Sequence, residues 1–201
     1  MNHQKTTDLL LRLASTTRHE RRTTIHDNLT QQVAPLVLEK MPAGTRALDI
    51  GCGSGPFLAL CKDRGMDAVG ITVDKYDLTA AIANGFKAHQ MDMHDLQFAD
   101  GEFGLVWMRH SLEHSPFPLL ALAEAKRVLR PDGIIYVEVP AGETCCNHES
   151  NENHYSIFTD KSWQWLFFKA ELDLDDVRSW TITIKDLGED KYWSYILKHH
   201  Q

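Results

Sequence analysis

Five short apolar runs, 46–50, 67–73, 86–91, 103–108 and 134–139, alternate with segments of helical periodicity. That alternation predicts an α/β layered fold of parallel strands joined by crossovers. The helical segments carry stop signals. One over 56–64 ends at Gly65, and one over 75–84 ends at Gly85, where a left-handed cap is expected. A third, over 116–129, repeats Leu119, Leu122, Ala123, Ala125 and Val128 at near-helical spacing and is ended by Pro131-Asp132-Gly133. The run 134–139 is apolar except for Glu138, as suits a strand covered on both faces. Ahead of the first strand, the chain reads as helix, broken near 21–24 and kinked at Pro35, whose nitrogen cannot donate an intrahelical hydrogen bond.

The tail differs in kind. A helix over 160–170 precedes two runs, 177–184 and 192–199, joined by the polar Lys185-Asp186-Leu187-Gly188-Glu189-Asp190. Strands linked so closely pair antiparallel, so a closing hairpin is expected after five parallel strands. The 201 residues show no linker-like composition shift, and 1–201 is expected to be a single domain. At this length folding buries roughly 70% of the extended chain's surface, so no disulfide or metal staple is required. A mean hydropathy of -0.34 and the lack of an apolar run near ~18 residues argue against a membrane helix. The short N-terminal leucine patch is interrupted by Arg12 and leads to no cleavage site, so no secretory signal is expected.

The 28 acidic and 21 basic side chains leave a net charge of -7, which gives no electrostatic footprint for nucleic acid. Arg18, Arg21 and Arg22 cluster around Glu20 and read as a solvated helix face. Cys52, Cys61, Cys145 and Cys146 form no CxxC pair, which fits reduced thiols in a cytoplasmic compartment.

The richest segment is Ala47-Leu48-Asp49-Ile50-Gly51-Cys52-Gly53-Ser54-Gly55-Pro56-Phe57, a buried strand, a glycine turn and a helix start. Such a turn lets a ligand approach the backbone, and the helix N-terminus behind it offers N–H groups to an anion. A dinucleotide turn requires G-x-G-x-x-G. Here the glycines run G-x-G-x-G, and Pro56 holds the third position. Asp49 sets a carboxylate at the strand's mouth, where it repels a pyrophosphate and attracts a cationic amine. The turn suits a ligand carrying both an amino group and a carboxylate.

Four segments in this order, Asp49-Ile50-Gly51-Cys52-Gly53-Ser54-Gly55, Asp92-Met93-His94-Asp95-Leu96, Leu112-Glu113-His114 and Arg127-Val128-Leu129-Arg130-Pro131-Asp132-Gly133, resemble class I S-adenosylmethionine-dependent methyltransferases. The resemblance spans about residues 40–200 and is closest to the small-molecule and saccharide branch. It implies a Rossmann-like three-layer sandwich with a seven-stranded mixed sheet in the order 3-2-1-4-5-7-6, its last pair antiparallel, which agrees with the hairpin. It also implies S-adenosylmethionine as cofactor, S-adenosylhomocysteine as product, and N-terminal helices over 1–41 as a lid. Asp49, Gly51 and Gly53, with Cys52 in the same turn, would hold the methionine end. The family's ribose-binding acid falls at Thr72, so either Thr72 or Asp74, which strand alternation puts on the same face, serves the ribose; the alternative for Asp74 is an ordinary surface aspartate. Asp92 resembles the residue that recognises the adenine amino group, with Met93 beside it and Met108 also on the cofactor side; the alternative for Asp92 is a turn cap. Gly104 departs from the family's Phe-Asp pair before the fourth strand.

Methyl transfer from a sulfonium is an in-line displacement, so catalysis rests on holding the acceptor on axis, with a base in reach for an oxygen or nitrogen acceptor. Substrates of open α/β folds sit beyond the carboxyl ends of the strands. That points to Arg109, His110, Glu113 and His114 after the fourth strand, and to an acceptor-side loop over 141–158 after the fifth. His110, His114 and His154 are the candidate catalytic residues; for each the plainer reading is a local hydrogen-bonding or turn role. Cys145, Cys146, His148 and His154 invite a zinc reading, but adjacent cysteines lack ligand spacing and no metal is expected. Trp163, Trp165, Phe167 and Phe168 read as core, with one edge near the pocket.

The expected function is methyl transfer to a small-molecule or saccharide acceptor at oxygen. A non-catalytic cofactor- or partner-binding domain is the alternative, and the missing third glycine opposes a NAD-dependent oxidoreductase. Met108-Arg109-His110-Ser111 replaces the Asn/Asp-Pro-Pro-aromatic turn that nucleic-acid amino-methylation needs.

Overall fold

A computed structural model describes residues 24–200 together with Lys5 and Arg12; the expected helical segments before residue 24 and the cluster Arg18, Glu20, Arg21 and Arg22 lie outside the described residues. The chain divides into two compact units, Met1–Gln97 and Phe98–Gln201.

In the first unit, β1 (Arg46–Ile50), β2 (Asp67–Thr72) and β3 (Ala88–Gln90) pair in parallel, with Leu48 opposite Val69 and Ile71 opposite His89. Among the described residues the helices α1 (Thr24–Leu38), α2 (Pro56–Asp63) and α3 (Lys75–Ala83) accompany them. Helix α1 runs through Pro35 and buries Val33, Ala34, Val37 and Leu38, an i, i+1, i+4, i+5 stripe. Strand β3 is shorter than the expected 86–91. Phe86 is used to close α3: its N–H donates to Ala81 O at 3.1 Å while Gly85 N–H donates to Ile82 O at 2.9 Å, the paired contacts of a Schellman cap.

The second unit holds β4 (Phe103–Arg109), β5 (Leu129–Pro140), β6 (Leu172–Ile184) and β7 (Gly188–His199), with α4 (Pro118–Val128) and α5 (Asp160–Lys169). Strand β4, buried throughout, pairs parallel to β5; β7 pairs antiparallel to both β5 and β6. The seven-stranded sheet has the order β3-β2-β1-β4-β5-β7-β6, as expected.

Three local readings are corrected. Pro131-Asp132-Gly133 does not end a helix but lies inside β5, because α4 passes into the strand at Leu129 and the β4/β5 register shifts between Phe103 and Leu105. This makes Gly133 sterically obligatory: a Cβ there would stand 2.9 Å from Gly104 O and 2.7 Å from Leu129 Cδ1. The hairpin strands start earlier than their apolar runs, since β6 includes the exposed Asp175 and β7 includes Glu189 and Asp190, paired with Thr183 and Ile182. On α5, Trp163 and Phe167 are core, whereas Trp165 and Phe168 are exposed and stack on each other with centroids 5.2 Å apart. Among the described residues no helix is long and apolar enough to cross a membrane.

Candidate active site

The first unit builds a turn at the end of β1. Asp49 is buried there, and the chain then reverses through Gly51, Gly53 and Gly55, with φ of 81°, 52° and 95°. The N–H groups of Gly51 and Cys52 both donate to Ile71 O, at 2.9 and 3.0 Å, which ties the turn to β2. Gly55 precedes α2 with no side-chain cap, and Pro56 opens the helix, so backbone alone faces whatever approaches. Cys52 donates from Sγ to Gly53 O at 3.6 Å inside the turn. Its side chain is core, packed with Leu58 and Ala81. Burial and the Asp49 charge push the Cys61 thiol up to about 12, which keeps it protonated.

Thr72 ends β2, buried, and its Oγ1 accepts from Asp74 N–H at 3.1 Å. The strand does not continue to Asp74, so the two do not alternate onto one strand face. Asp74 instead caps α3, its Oδ1 accepting from Tyr76 N–H at 2.7 Å and Asp77 N–H at 2.9 Å. Asp92 is partly a turn residue, since Oδ1 accepts from His94 N–H at 2.9 Å and faces His94 Nδ1 at 2.6 Å. Burial disfavours the charged carboxyl, but the His94 hydrogen bonds outweigh it and hold the Asp92 pKa below the usual carboxylate value. Its Oδ2 is buried and has no hydrogen-bond partner among the described residues. Met93 stands beside it, half-buried, whereas Met108 belongs to the second unit, fully buried in β4.

An acceptor-only oxygen held without a donor fits the expected adenine amino group, and the uncapped glycine turn fits the methionine end. Asp92→Asn should therefore weaken S-adenosylhomocysteine binding roughly 5- to 150-fold, the equivalent of leaving one buried polar group mismatched. Calorimetric titration of the two proteins checks this.

The second unit gathers titratable groups around the end of β4, the turn Leu112–His114 and the loop over 141–158. Arg109 and Glu138 are both buried, with Nε 2.7 Å from Oε1. His110, at a left-handed φ of 51°, sets Nδ1 3.4 Å from Glu113 Oε1 and Nε2 3.3 Å from Glu138 Oε1. Burial and Arg109 disfavour its cation, but the two carboxylates prevail and raise its pKa. Glu113 is ionised for the converse reason: the His110 hydrogen bond and the fields of His114 and His154 overcome burial and hold it at about 2. His114 and His154 stand in ring contact, centroids 4.9 Å apart, and His148 stacks on His154 at 5.6 Å. All three candidate histidines thus fall in one cluster.

Sequence reasoning missed Glu138, Tyr136, Asp190 and Tyr192. Glu138 was signalled as the lone charge in an apolar strand. Tyr136 OH donates to its Oε2 at 2.5 Å, and Tyr192 meets the His110 ring edge-on at 4.8 Å. Asp190, read as loop, is buried in β7 and accepts from His148 Nε2 at 3.0 Å, from Lys191 N–H at 3.1 Å and from Tyr192 OH. Burial opposes its charge, but the His148 and Tyr192 hydrogen bonds hold its pKa far below the usual range. A lowered folded-state pKa stabilises the fold above the unfolded value, about 3.9, and the benefit is lost as pH falls below it. The stability gap between wild type and Asp190→Asn should therefore be widest near neutrality and close below about pH 4, as urea midpoints across pH would record.

Residues 48–137 match the methyltransferase domain family. A curated relative, 27-O-demethylrifamycin SV methyltransferase of Amycolatopsis mediterranei, is 31% identical, the match covering 57% of this chain and 47% of the relative. Another, 2-methyl-6-phytyl-1,4-hydroquinone methyltransferase of Synechocystis sp., is 34% identical over 50% of this chain and 33% of its own. The chain spans less than half the length of these two relatives. Among solved structures, the 1,6-didemethyltoxoflavin-N1-methyltransferase of Burkholderia thailandensis, bound to 1,6-didemethyltoxoflavin and S-adenosylhomocysteine, superposes with a TM-score of 0.74 at 17% identity, covering 100% of this chain and 91% of that one.

Proposed function

We propose, because residues 48–137 match the methyltransferase domain family and the sheet has the order implied for S-adenosylmethionine-dependent enzymes, that the chain acts as one catalytic domain transferring a methyl group to oxygen of a small molecule or saccharide. The observation that carries the reading is Asp92 Oδ2, a buried acceptor without a donor among the described residues, in the same unit as the glycine turn of β1. When bound, S-adenosylmethionine supplies a methyl group on a sulfonium. The chain supplies the rest: Asp49 attracts the amino group, the turn backbone receives the carboxylate, Thr72 meets the ribose, and Asp92 with Met93 receives the adenine.

On the acceptor side the proton of a hydroxyl must leave. His110 does not suit that task, since both its nitrogens face carboxylates that favour its cation. It holds Glu113 and Glu138 in their charged forms. His114 and His154 suit it better: each Nδ1 lies near 3 Å from a backbone carbonyl (3.0 and 2.9 Å), which puts the basic lone pair at Nε2, although on His154 that lone pair already accepts from Asn151 Nδ2 at 3.2 Å. Those nitrogens can take the proton themselves or hold a group that acidifies the hydroxyl. Buried polar side chains here, Ser111, Glu113 and Asn153, suit a hydroxyl-bearing acceptor, and the rifamycin relative's name specifies oxygen.

A labelled methyl-donor assay across metabolites and nucleotide sugars tests the proposal, with Asp49→Ala as control. Turnover of an acceptor that Asp49→Ala abolishes is expected. Cofactor affinity without turnover of any acceptor favours a binding domain, and turnover unchanged in Asp49→Ala contradicts the site.

A further inference from the structure

The loop over 141–158 meets the turn after β4 and brings His154 against the adjacent pair Glu113-His114, some forty residues earlier in the chain. Glu113, His114 and His154 each offer a ligand atom within 4.8 Å of the other two. The imidazoles are oriented by the backbone. His114 Nδ1 is 3.0 Å from the carbonyl of Asn153, and His154 Nδ1 is 2.9 Å from the carbonyl of His148. A carbonyl only accepts, so each Nδ1 carries the proton and each Nε2 the lone pair. Metal-ligating histidines use this tautomer and this outer contact.

Loop and turn are fastened to each other. The N–H groups of Tyr155 and Ser156 donate to Glu113 O at 2.9 and 3.0 Å, and Ser156 Oγ donates to Ser115 O at 2.9 Å. The independent observation is the Glu113 carboxylate. It is 1% exposed, and its Oε2 has no hydrogen-bond partner among the described residues. A buried carboxylate oxygen left bare is costly unless a cation or donor occupies the space beside it.

We propose that Glu113, His114 and His154 bind one divalent transition-metal ion, with zinc the natural match to two imidazoles, one carboxylate and an open position. The amide of Asn151 lies 3.2 Å from His154 Nε2 and would have to turn aside for an ion to bind there. Cys146, His148 and Asp190 form a second close group, but the Asp190 oxygens already serve His148, Lys191 and Tyr192, a network complete without an ion. The open position admits an oxygen, and a zinc-bound hydroxyl is strongly acidified. That role rests on the methyl-transfer reading above; occupancy of the site does not.

The protein stripped by chelator and dialysed against zinc should bind one ion per chain. Cobalt in its place should show visible d–d bands without a thiolate charge-transfer band. His114→Ala and His154→Ala should each weaken zinc by at least about tenfold, and Cys146→Ser should change neither stoichiometry nor spectrum. Glu113→Gln tests the carboxylate. Circular dichroism and metal-free melting of each variant separate lost ligation from lost folding, and zinc should raise the Tm of wild type but not of His154→Ala. No zinc bound by wild type, full affinity in both histidine variants, or binding lost with Cys146→Ser overturns the proposal. Neither methyl donor nor acceptor is present in these measurements. A failed acceptor screen therefore leaves the metal result standing, and absent zinc returns the proton to a histidine base without touching the methyl-transfer reading.

Discussion

Replacing Glu138 with alanine is expected to destabilise the fold by about 3–5 kcal/mol, the cost of removing one partner from a buried ion pair. Glu138 lies near the end of β5, 2% exposed, with Arg109 Nε at 2.7 Å and His110 Nε2 at 3.3 Å from Oε1, and Tyr136 OH at 2.5 Å from Oε2. Burial raises the carboxyl's pKa, but His110 and Arg109 outweigh it and keep the group ionised. Alanine would leave the Arg109 guanidinium in the interior without this carboxylate and deprive Tyr136 of its acceptor. Glu138→Gln keeps shape and one acceptor while removing the charge, so its loss should be smaller. Urea unfolding of the three proteins measures both effects. An alanine variant as stable as wild type means that the pair does not hold this end of the sheet.

Gly55→Ala is the second large effect, in the other unit. Its φ of 95° is costly for any L side chain, and an added Cβ would stand 2.4 Å from Phe86 Cδ2. The left-handed conformation costs about 1–2 kcal/mol and the overpacking about 1–3, so roughly 2–5 kcal/mol is expected. Gly65→Ala is the matched control, with φ of 68° and nothing within 4 Å of the new Cβ. It should show the conformational cost alone, and the difference between the two variants isolates the contact with Phe86. Because Gly55 precedes α2 at the end of the glycine turn proposed to hold the cofactor, its substitution should also lower S-adenosylhomocysteine affinity, whereas Gly65→Ala should not. Equal stability losses at the two glycines would contradict this packing.

What was legible in the sequence follows from locality. The β1 turn is written in consecutive residues, so strand, glycines and helix start were all readable, as was the Gly85 cap. Strand order came from the resemblance and from the hairpin's short connection. Asp190 was misread because its charge signals loop, while its burial comes from His148, more than forty residues away, and from Tyr192. The extension of β6 was hidden by Asp173, Asp175 and Asp176, which an edge strand can carry facing solvent. Asp74 was placed on a strand that ends at Thr72, because no local signal separates a strand-end aspartate from a helix cap two residues on. The three histidines were found one by one. That His114 and His154 face Glu113 depends on how the loop over 141–158 folds back, which no periodicity encodes.

The most direct test of the cofactor site is calorimetric titration of S-adenosylhomocysteine and, separately, of NAD into wild type and Asp49→Ala. One molecule of S-adenosylhomocysteine should bind per wild-type chain, with affinity falling at least about tenfold in the variant and no heat from NAD. Binding of NAD in its place, or S-adenosylhomocysteine bound equally well without the Asp49 carboxylate, would contradict the account.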